Sequence, residues 1–272
     1  MDWPVIVDAN PIIDRLKTGE FEVPLLPEAA TQVMSICSNA DCDLKDLIET
    51  IKKDQSLMAH VLRMANSALY SGDIEIVSLQ LAVSRLGLST VRDLAAAAAC
   101  KGAVFKPGKS RELVQGMFQQ AMARGIFAQE IARVRRSNVE IAFLSGLMRE
   151  IGSPIIVFEL EKADIDGKDA TEIINDFRFR VGEIVLNSWD LPEKICQSVK
   201  FAGRPEEAGD IEDVVQTVEL AQLLSSELLD PSLGRDSVRF NAACGALNLY
   251  EEDIHKLTAK AEKVREMVES IR

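Results

Sequence analysis

Residues 43–54 read DLKDLIETIKKD, and their spacing decides the fold class. Leu44, Leu47, Ile48 and Ile51 recur at i, i+3, i+4 and i+7, which puts every apolar side chain on one stripe of an α-helix. Asp43 stands where an N-cap carboxylate accepts from the free amides of the first turn. The next segment follows the same logic, with Asp54 as cap and Leu57, Val61, Met64, Ala65 and Ala68 along one face. A third helix is predicted from Ser78 to Leu86 with Gly87 ending it, and a fourth from about Ser89 through Ala95 to Ala99. That alanine run lets neighbouring helices approach closely.

Beyond these, Lys106-Pro107-Gly108-Lys109-Ser110 is the clearest break, short, polar and turn-forming. It divides an N-terminal helical subdomain, 20–105, from a second helical subdomain, 111–272, with residues 1–19 as an arm anchored by Trp3, Ile12 and Ile13. In the second part the periodicity predicts helices at about Arg111 to Arg135, Val139 to Arg149, Pro154 to Leu160 and Thr171 to Trp189, the last with a break near Gly182. Pro192 suits the first turn of another. Asp210 to Leu229 and Glu251 to Arg272 complete the set. No segment alternates with period two, so the chain reads as all-α.

Composition agrees. The 272 residues are 47% hydrophobic and 27% charged, with only 15 Gly, 9 Pro and 5% aromatic residues. That balance suits a packed helical chain and excludes a disordered one. The formal net charge of -12 repels phosphate backbones, which argues against general nucleic-acid binding. Around Gly87, LQLAVSRLGLSTVRDL has the outline of a helix-turn-helix with Arg85 and Arg92 nearby. Its Ala82 to Gly87 spacing is one residue too long, and Asp93 follows, so DNA binding is disfavoured.

The five cysteines form no CxxC pair. Cys37, Cys100, Cys196 and Cys244 lie in apolar surroundings as small core residues, and Cys42, between two aspartates, reads as exposed. The start, MDWPVIVDANP, has neither a basic nor an apolar region of a signal peptide, and uncharged stretches reach only about eleven residues. A cytoplasmic protein with no membrane association is the expectation.

Metal and nucleophile chemistry find little support. His60 and His255 are the only histidines, with no HExxH, HxH or Cys/His cluster, and there is no GxGxxG or GxxxxGK. Glu150 in LSGLMREIGSP and Glu219 in VVQTVELAQLL stand out because both lie in apolar runs. Each is either a buried acid or the outward position of an amphipathic helix, the second being the more ordinary case.

Three stretches carry a resemblance: VPLLPEAATQVMSI (23–36), IKKDQSLMAHVLRMANSALYS (51–71) and VSLQLAVSRLGLSTVRDLA (77–95). Pro24, Pro27, Asp54, Leu57, Leu62-Arg63, Ala65-Asn66-Ser67-Ala68, Tyr70, Ser78-Leu79, Ala82-Val83 and Leu86-Gly87 occur together and in order. In this pattern the chain resembles the HDOD family, HD-related output domains akin to HD-type metal-dependent phosphohydrolases of bacterial signalling proteins. The likeness continues through FLSGLMREIG and VGEIVLNSWDLPEKICQSV, covering roughly residues 20 to 225.

The resemblance implies an HD-like helical fold and an ancestral pocket whose metal ligands are replaced. The first HD histidine falls on Gln120, the His-Asp doublet on Arg149-Glu150, and the next histidine on Arg178. Later histidines fall near Phe201-Ala202, and the late aspartate near Gln222. Gln is a weak metal ligand and a guanidinium keeps its proton, so neither arginine becomes a ligand at working pH. The expectation is an inactive output or adaptor module with no catalytic residue, metal or cofactor. Its vestigial pocket comprises Gln120, Arg149, Glu150, Arg178, Glu219 and Gln222, and it acts by binding a signalling protein partner or a small anionic molecule held by Arg149 and Arg178. The alternative is a divergent phosphohydrolase or nucleotide phosphodiesterase with a metal held by Glu150, Glu183 and Glu219. A partner groove is expected between the two subdomains.

Overall fold

The computed structural model describes residues 10–26, 28–37, 43–66, 75–105, 108–189, 191–231 and 237–270. The roles read for Trp3, Pro27, Cys42, residues 67–70 and Lys106-Pro107, and the side chains of Cys37, His60 and Met64, lie outside the described residues. Among the described residues there are fifteen α-helices, two short 3₁₀ turns and no strand.

The first six helices are α1 (Asn10–Thr18), α2 (Glu28–Cys37), α3 (Leu44–Lys52), α4 (Gln55–Ala65), α5 (Leu79–Leu86) and α6 (Leu88–Ala103). Their ends follow the expected chemistry. The Asp43 carboxylate accepts from the Lys45 amide at 2.8 Å, Asp54 from Leu57 at 3.0 Å, and the Ser78 hydroxyl from Leu81 at 3.1 Å. Gly87, at φ +82°, joins α5 to α6 in a conformation that side chains with a Cβ rarely adopt.

Helix α6 is buried on every side from Val91 to Cys100, and its small side chains make that packing feasible. Val91, Ala95 and Ala98 face a smaller apolar cluster with Val33, Leu47, Ile51, Leu57 and Val61. Leu94, Ala96, Ala97, Cys100 and Ala103 face the larger cluster, which contains α7 (Arg111–Arg135) and the helices after it. Arg92 is buried and pairs with Glu140 at 2.7 Å, so it is not displayed as a DNA-reading side chain.

The larger cluster is built on α7, α8 (Val139–Met148), α9 (Gly152–Lys162), α10 (Gly167–Ser188), α11 (Glu193–Lys200) and α12 (Glu212–Leu229). Helix α7 packs on α8 and α12, and α9 packs on α10. Helix α10 runs unbroken past Gly182, where the sequence predicts a break. The cause is tertiary: a Cβ on Gly152 would meet the Arg178 carbonyl oxygen at 2.2 Å and the Gly182 amide at 2.7 Å. The two glycines let α9 and α10 touch backbone to backbone.

Three further helices follow: α13 (Ser237–Ala246), α14 (Glu251–Thr258) and α15 (Ala261–Ser270). Helix α13 has no counterpart in the periodicity reading, and the predicted C-terminal helix is divided at Ala259-Lys260. In the arm, α1 packs on α9 and α10 with Ile12 and Leu16 buried, while Arg15 pairs with the buried Glu159 at 2.8 Å.

Among the described residues, the stretch Val139–Lys162 is long and apolar enough to cross a membrane. It comprises α8 and α9, and most of its apolar window is buried inside the protein. Cys100, Cys196 and Cys244 are free and buried, and burial pushes the Cys100 thiol up to about 12.

Candidate functional site

Four helices converge on a polar cluster inside the larger core. Helix α7 contributes Arg124, the turn after α8 contributes Arg149 and Glu150, α10 contributes Arg178, and α12 contributes Glu219 and Gln222. Charged groups survive in this interior only where each finds partners, and here the partners are one another.

Arg149 is the hub. Its Nε and Nη2 donate to Glu219 Oε1 at 3.1 and 2.8 Å, and its Nη1 donates to Glu150 Oε1 at 2.7 Å. Arg124, with 1% of its surface exposed, donates from Nε to the Gly146 carbonyl at 2.8 Å and from Nη1 to Gln222 Oε1 at 2.6 Å. The same Nη1 stands 3.2 Å from Glu150 Oε2. Glu219 Oε1 also accepts the Gly203 amide at 2.9 Å, and its Oε2 accepts from Arg239 of α13 at 3.3 Å.

Arg178 holds the outer position. Its Nε is buried without a hydrogen bond, 3.6 Å from Glu150 Oε1, while its Nη1 donates to the Asn175 carbonyl at 3.1 Å and to the Asn175 side chain. The Phe179 ring carries both the Arg178 and Arg149 guanidiniums, 4.6 and 5.0 Å from its centroid.

Burial alone would push the Glu150 carboxyl up. Arg124, Arg149 and Arg178 outweigh it and hold the group below the usual carboxylate range. Burial draws the Arg124 guanidinium down, opposed by Glu150. Glu150 is therefore held as an anion among Arg124, Arg149 and Arg178, and Glu219 is paired with Arg149 and Arg239. Glu219 is buried, which overturns the outward-facing alternative for it.

Gln120 lies one shell away from this hub. Its Nε2 donates to Ser225 and Ser226 at 3.0 and 3.1 Å, and Ser226 accepts from Gln222 at 2.8 Å. A hydrogen-bonded chain thus runs from Gln120 through Ser226 and Gln222 to Arg124. Glu183 stands apart, paired with Arg180 at 3.4 Å and Lys200 at 3.6 Å. Among the described residues no group of three metal-ligating side chains exists, so Glu150, Glu183 and Glu219 are not assembled as a carboxylate centre.

Arg124, Arg239 and the Gly203 amide complete the cluster without having been singled out in the sequence. Arg124 carried a readable signal, a lone charge within AMARGIFA. Arg239 and Gly203 carried none, since only the fold brings them to Glu219.

The donor set does not fit a divalent cation. The space between the two carboxylates is bridged by Arg149, and each carboxylate oxygen already faces a guanidinium. A metal there would meet fixed positive charge rather than imidazole and free carboxylate.

Comparison with known proteins places this geometry. The sequence matches the HDOD domain over residues 23–205. A Shewanella amazonensis structure named as a candidate phosphohydrolase superposes with TM-score 0.73 at 22% identity, over 96% of this chain and 98% of that one. A Geobacter sulfurreducens HDOD domain protein with unknown function gives TM-score 0.64 at 19% identity, over 94% and 99%. A Marinobacter aquaeolei structure named as a candidate signal transduction protein gives 0.69 at 21%, over 98% of this chain and 67% of that one. An uncharacterized protein of Treponema pallidum is 22% identical over 236 residues, 79% of this chain but 44% of the relative's length. At these identities the structural likeness speaks for the fold, and the domain match over most of the chain speaks for the family. The chain belongs to the HDOD family.

Proposed function

We propose that the chain is a catalytically inactive HDOD signalling module, acting in the cytoplasm through binding rather than turnover. The observation that carries this reading is the Arg149 guanidinium seated between Glu150 and Glu219, 2.7 and 2.8 Å from their oxygens. A cation that cannot release its proton occupies the space an activating metal needs, and hydrolysis of a phosphodiester has no other activated nucleophile among these residues. Kinship with HDOD proteins, one structural relative being named for signal transduction, supports an output or adaptor role for a protein partner.

The test is hydrolysis of bis(p-nitrophenyl) phosphate and of a nucleotide panel by the purified chain with Mn, Fe, Mg or Ni. Rates at the buffer level are expected. Turnover that disappears in Glu150→Ala would overturn the reading.

A variant of the same reading has its own support. Four guanidiniums face two carboxylates, and Arg178 Nε is buried without a hydrogen bond. That surplus of positive donors in an acidic chain suits a small anionic ligand such as a phosphate. A melting-point rise with a nucleotide or inorganic phosphate, lost in Arg178→Ala, is the expected result for this variant; no shift across the panel argues for protein binding alone.

A further inference from the structure

Gln120 also lines a cavity of about 310 Å³ where α7, α12 and α15 meet. That volume reaches the lower end of small-molecule sites, about 300–1,000 Å³, and far exceeds the roughly 10–15 Å³ that one water needs. Leu228 and Leu229 of α12 and Val268 of α15 form its apolar wall. On the α7 side the lining residue Gly116 leaves it open, since a Cβ there would meet nothing within 4 Å.

The polar part of the lining is short of donors, and the reason lies in the layer beneath it. A guanidinium only donates, so Arg124 fixes the Gln222 amide with Oε1 toward itself and Nε2 toward the Ser226 hydroxyl. The Ser225 hydroxyl gives its one proton to the Gln222 carbonyl at 3.0 Å. Ser225 therefore has only lone pairs for Gln120, and the Gln120 amide must turn Nε2 inward to the two serines, at 3.0 and 3.1 Å. Its Oε1 is the end left for the cavity, an acceptor with no donor among the described residues.

Two more lining groups are unmet. Neither Gln119 nor the exposed carboxylate of Glu269 has a side-chain hydrogen bond or ion pair among the described residues. The cation of the lining is already engaged, with Arg265 donating to Glu262 at 2.9 Å and to the Leu228 carbonyl at 3.1 Å. The site thus lacks N–H donation toward Gln120 and Glu269, beside a hydrocarbon wall. An ammonium supplies three donors, no acceptor and the charge that a carboxylate favours.

We propose that this cavity binds a small organic amine, its ammonium held by Gln120 Oε1 and Glu269 and its hydrocarbon body against Leu228, Leu229 and Val268. The site is separate from the arginine cluster, to which the hydrogen bonds through Ser226 and Gln222 join it.

The experiment is NMR titration of the isotopically labelled 272-residue chain with butylamine, cyclohexylamine and phenethylamine, each beside the alcohol of the same carbon skeleton. Near neutral pH and about 0.15 M salt, the general attraction of a chain of net charge -12 for cations is screened. Expected is saturable amine binding that shifts the Gln120 signals, with the matching alcohol about tenfold weaker for want of a charge-assisted hydrogen bond. Affinity should fall about tenfold in Gln120→Met, which removes the acceptor, and by a similar factor in Glu269→Gln, which removes only an exposed charge. Binding should disappear in Gly116→Leu, which fills the cavity from a position with open space around it. Circular dichroism of each variant checks the fold. Equal affinity for amine and alcohol, amine binding that survives Gly116→Leu, or no binding by any of the three amines would overturn the assignment. None of these outcomes restores turnover, so the inactive reading above stands or falls separately, on the phosphodiester assay.

Discussion

Asp93 has 8% of its surface exposed on α6 and takes a hydrogen bond from Gln129. Burial raises its carboxyl to about 7, against the Gln129 hydrogen bond and the charges of Arg92 and Arg133, with Glu140 adding to the rise. The folded chain thus keeps a proton that the unfolded chain releases near the ordinary aspartate value of about 4. Stability contributed by this group falls as pH rises from about 4 to about 7 and is level above that. Asp93→Asn should flatten this part of the profile and raise the melting point at pH 8, read by thermal unfolding between pH 5 and 8. A profile unchanged from wild type would contradict the assignment. At the same scale, Arg149→Ala leaves Glu150 and Glu219 without their shared cation. A loss of about 3–5 kcal/mol is expected from urea unfolding, the range for breaking a buried pair on one side. A loss below about 1 kcal/mol would mean that water already screens the cluster. Arg149, Glu150 and Arg178 stand out in the sequence because they sit in recognisable stretches, and the fold brings them together. Sequence reading stopped short of Arg124 and Arg239, because a buried charge shows its partner only in three dimensions.

Among the elements, the helices with local signals were legible. Asp43, Asp54 and Ser78 cap where expected because a cap bonds amides two or three residues away. Helix α13 was not legible, since its buried apolar residues Phe240, Ala243 and Cys244 are too few to draw a stripe. The continuity of α10 was hidden for a different reason. Gly182 reads as a helix breaker in isolation, but it serves the contact with Gly152 that aligns α9 and α10 and sets Arg178 beside Glu150. Gly152→Ala should therefore cost about 1–3 kcal/mol or more, as overpacking against backbone that cannot yield. Gly116→Ala, inside α7 with nothing within 4 Å of the added carbon, should stabilise by about 0.5–1 kcal/mol. Chemical denaturation of the two variants side by side checks both signs. Equal effects would show that the α9–α10 contact relaxes freely.

Across the whole molecule, the all-α class and the HDOD kinship were legible because periodicity and short ordered motifs survive without a structure. The polar hub was legible only in outline. Arg149-Glu150 and Arg178 marked where imidazoles and carboxylates are expected in HD relatives, but not that one guanidinium bridges Glu150 and Glu219. The central claim concerns what the hub holds, a guanidinium in place of a metal. The most direct measurement is elemental analysis of the purified 272-residue chain after incubation with Mn, Fe, Mg, Zn and Ni and removal of free ions. Less than a tenth of an equivalent of any metal per chain is expected, on the order of what nonspecific surface sites retain. One or two equivalents, lost on substitution of Glu150 or Glu219, would contradict the claim and restore a metal-dependent hydrolase.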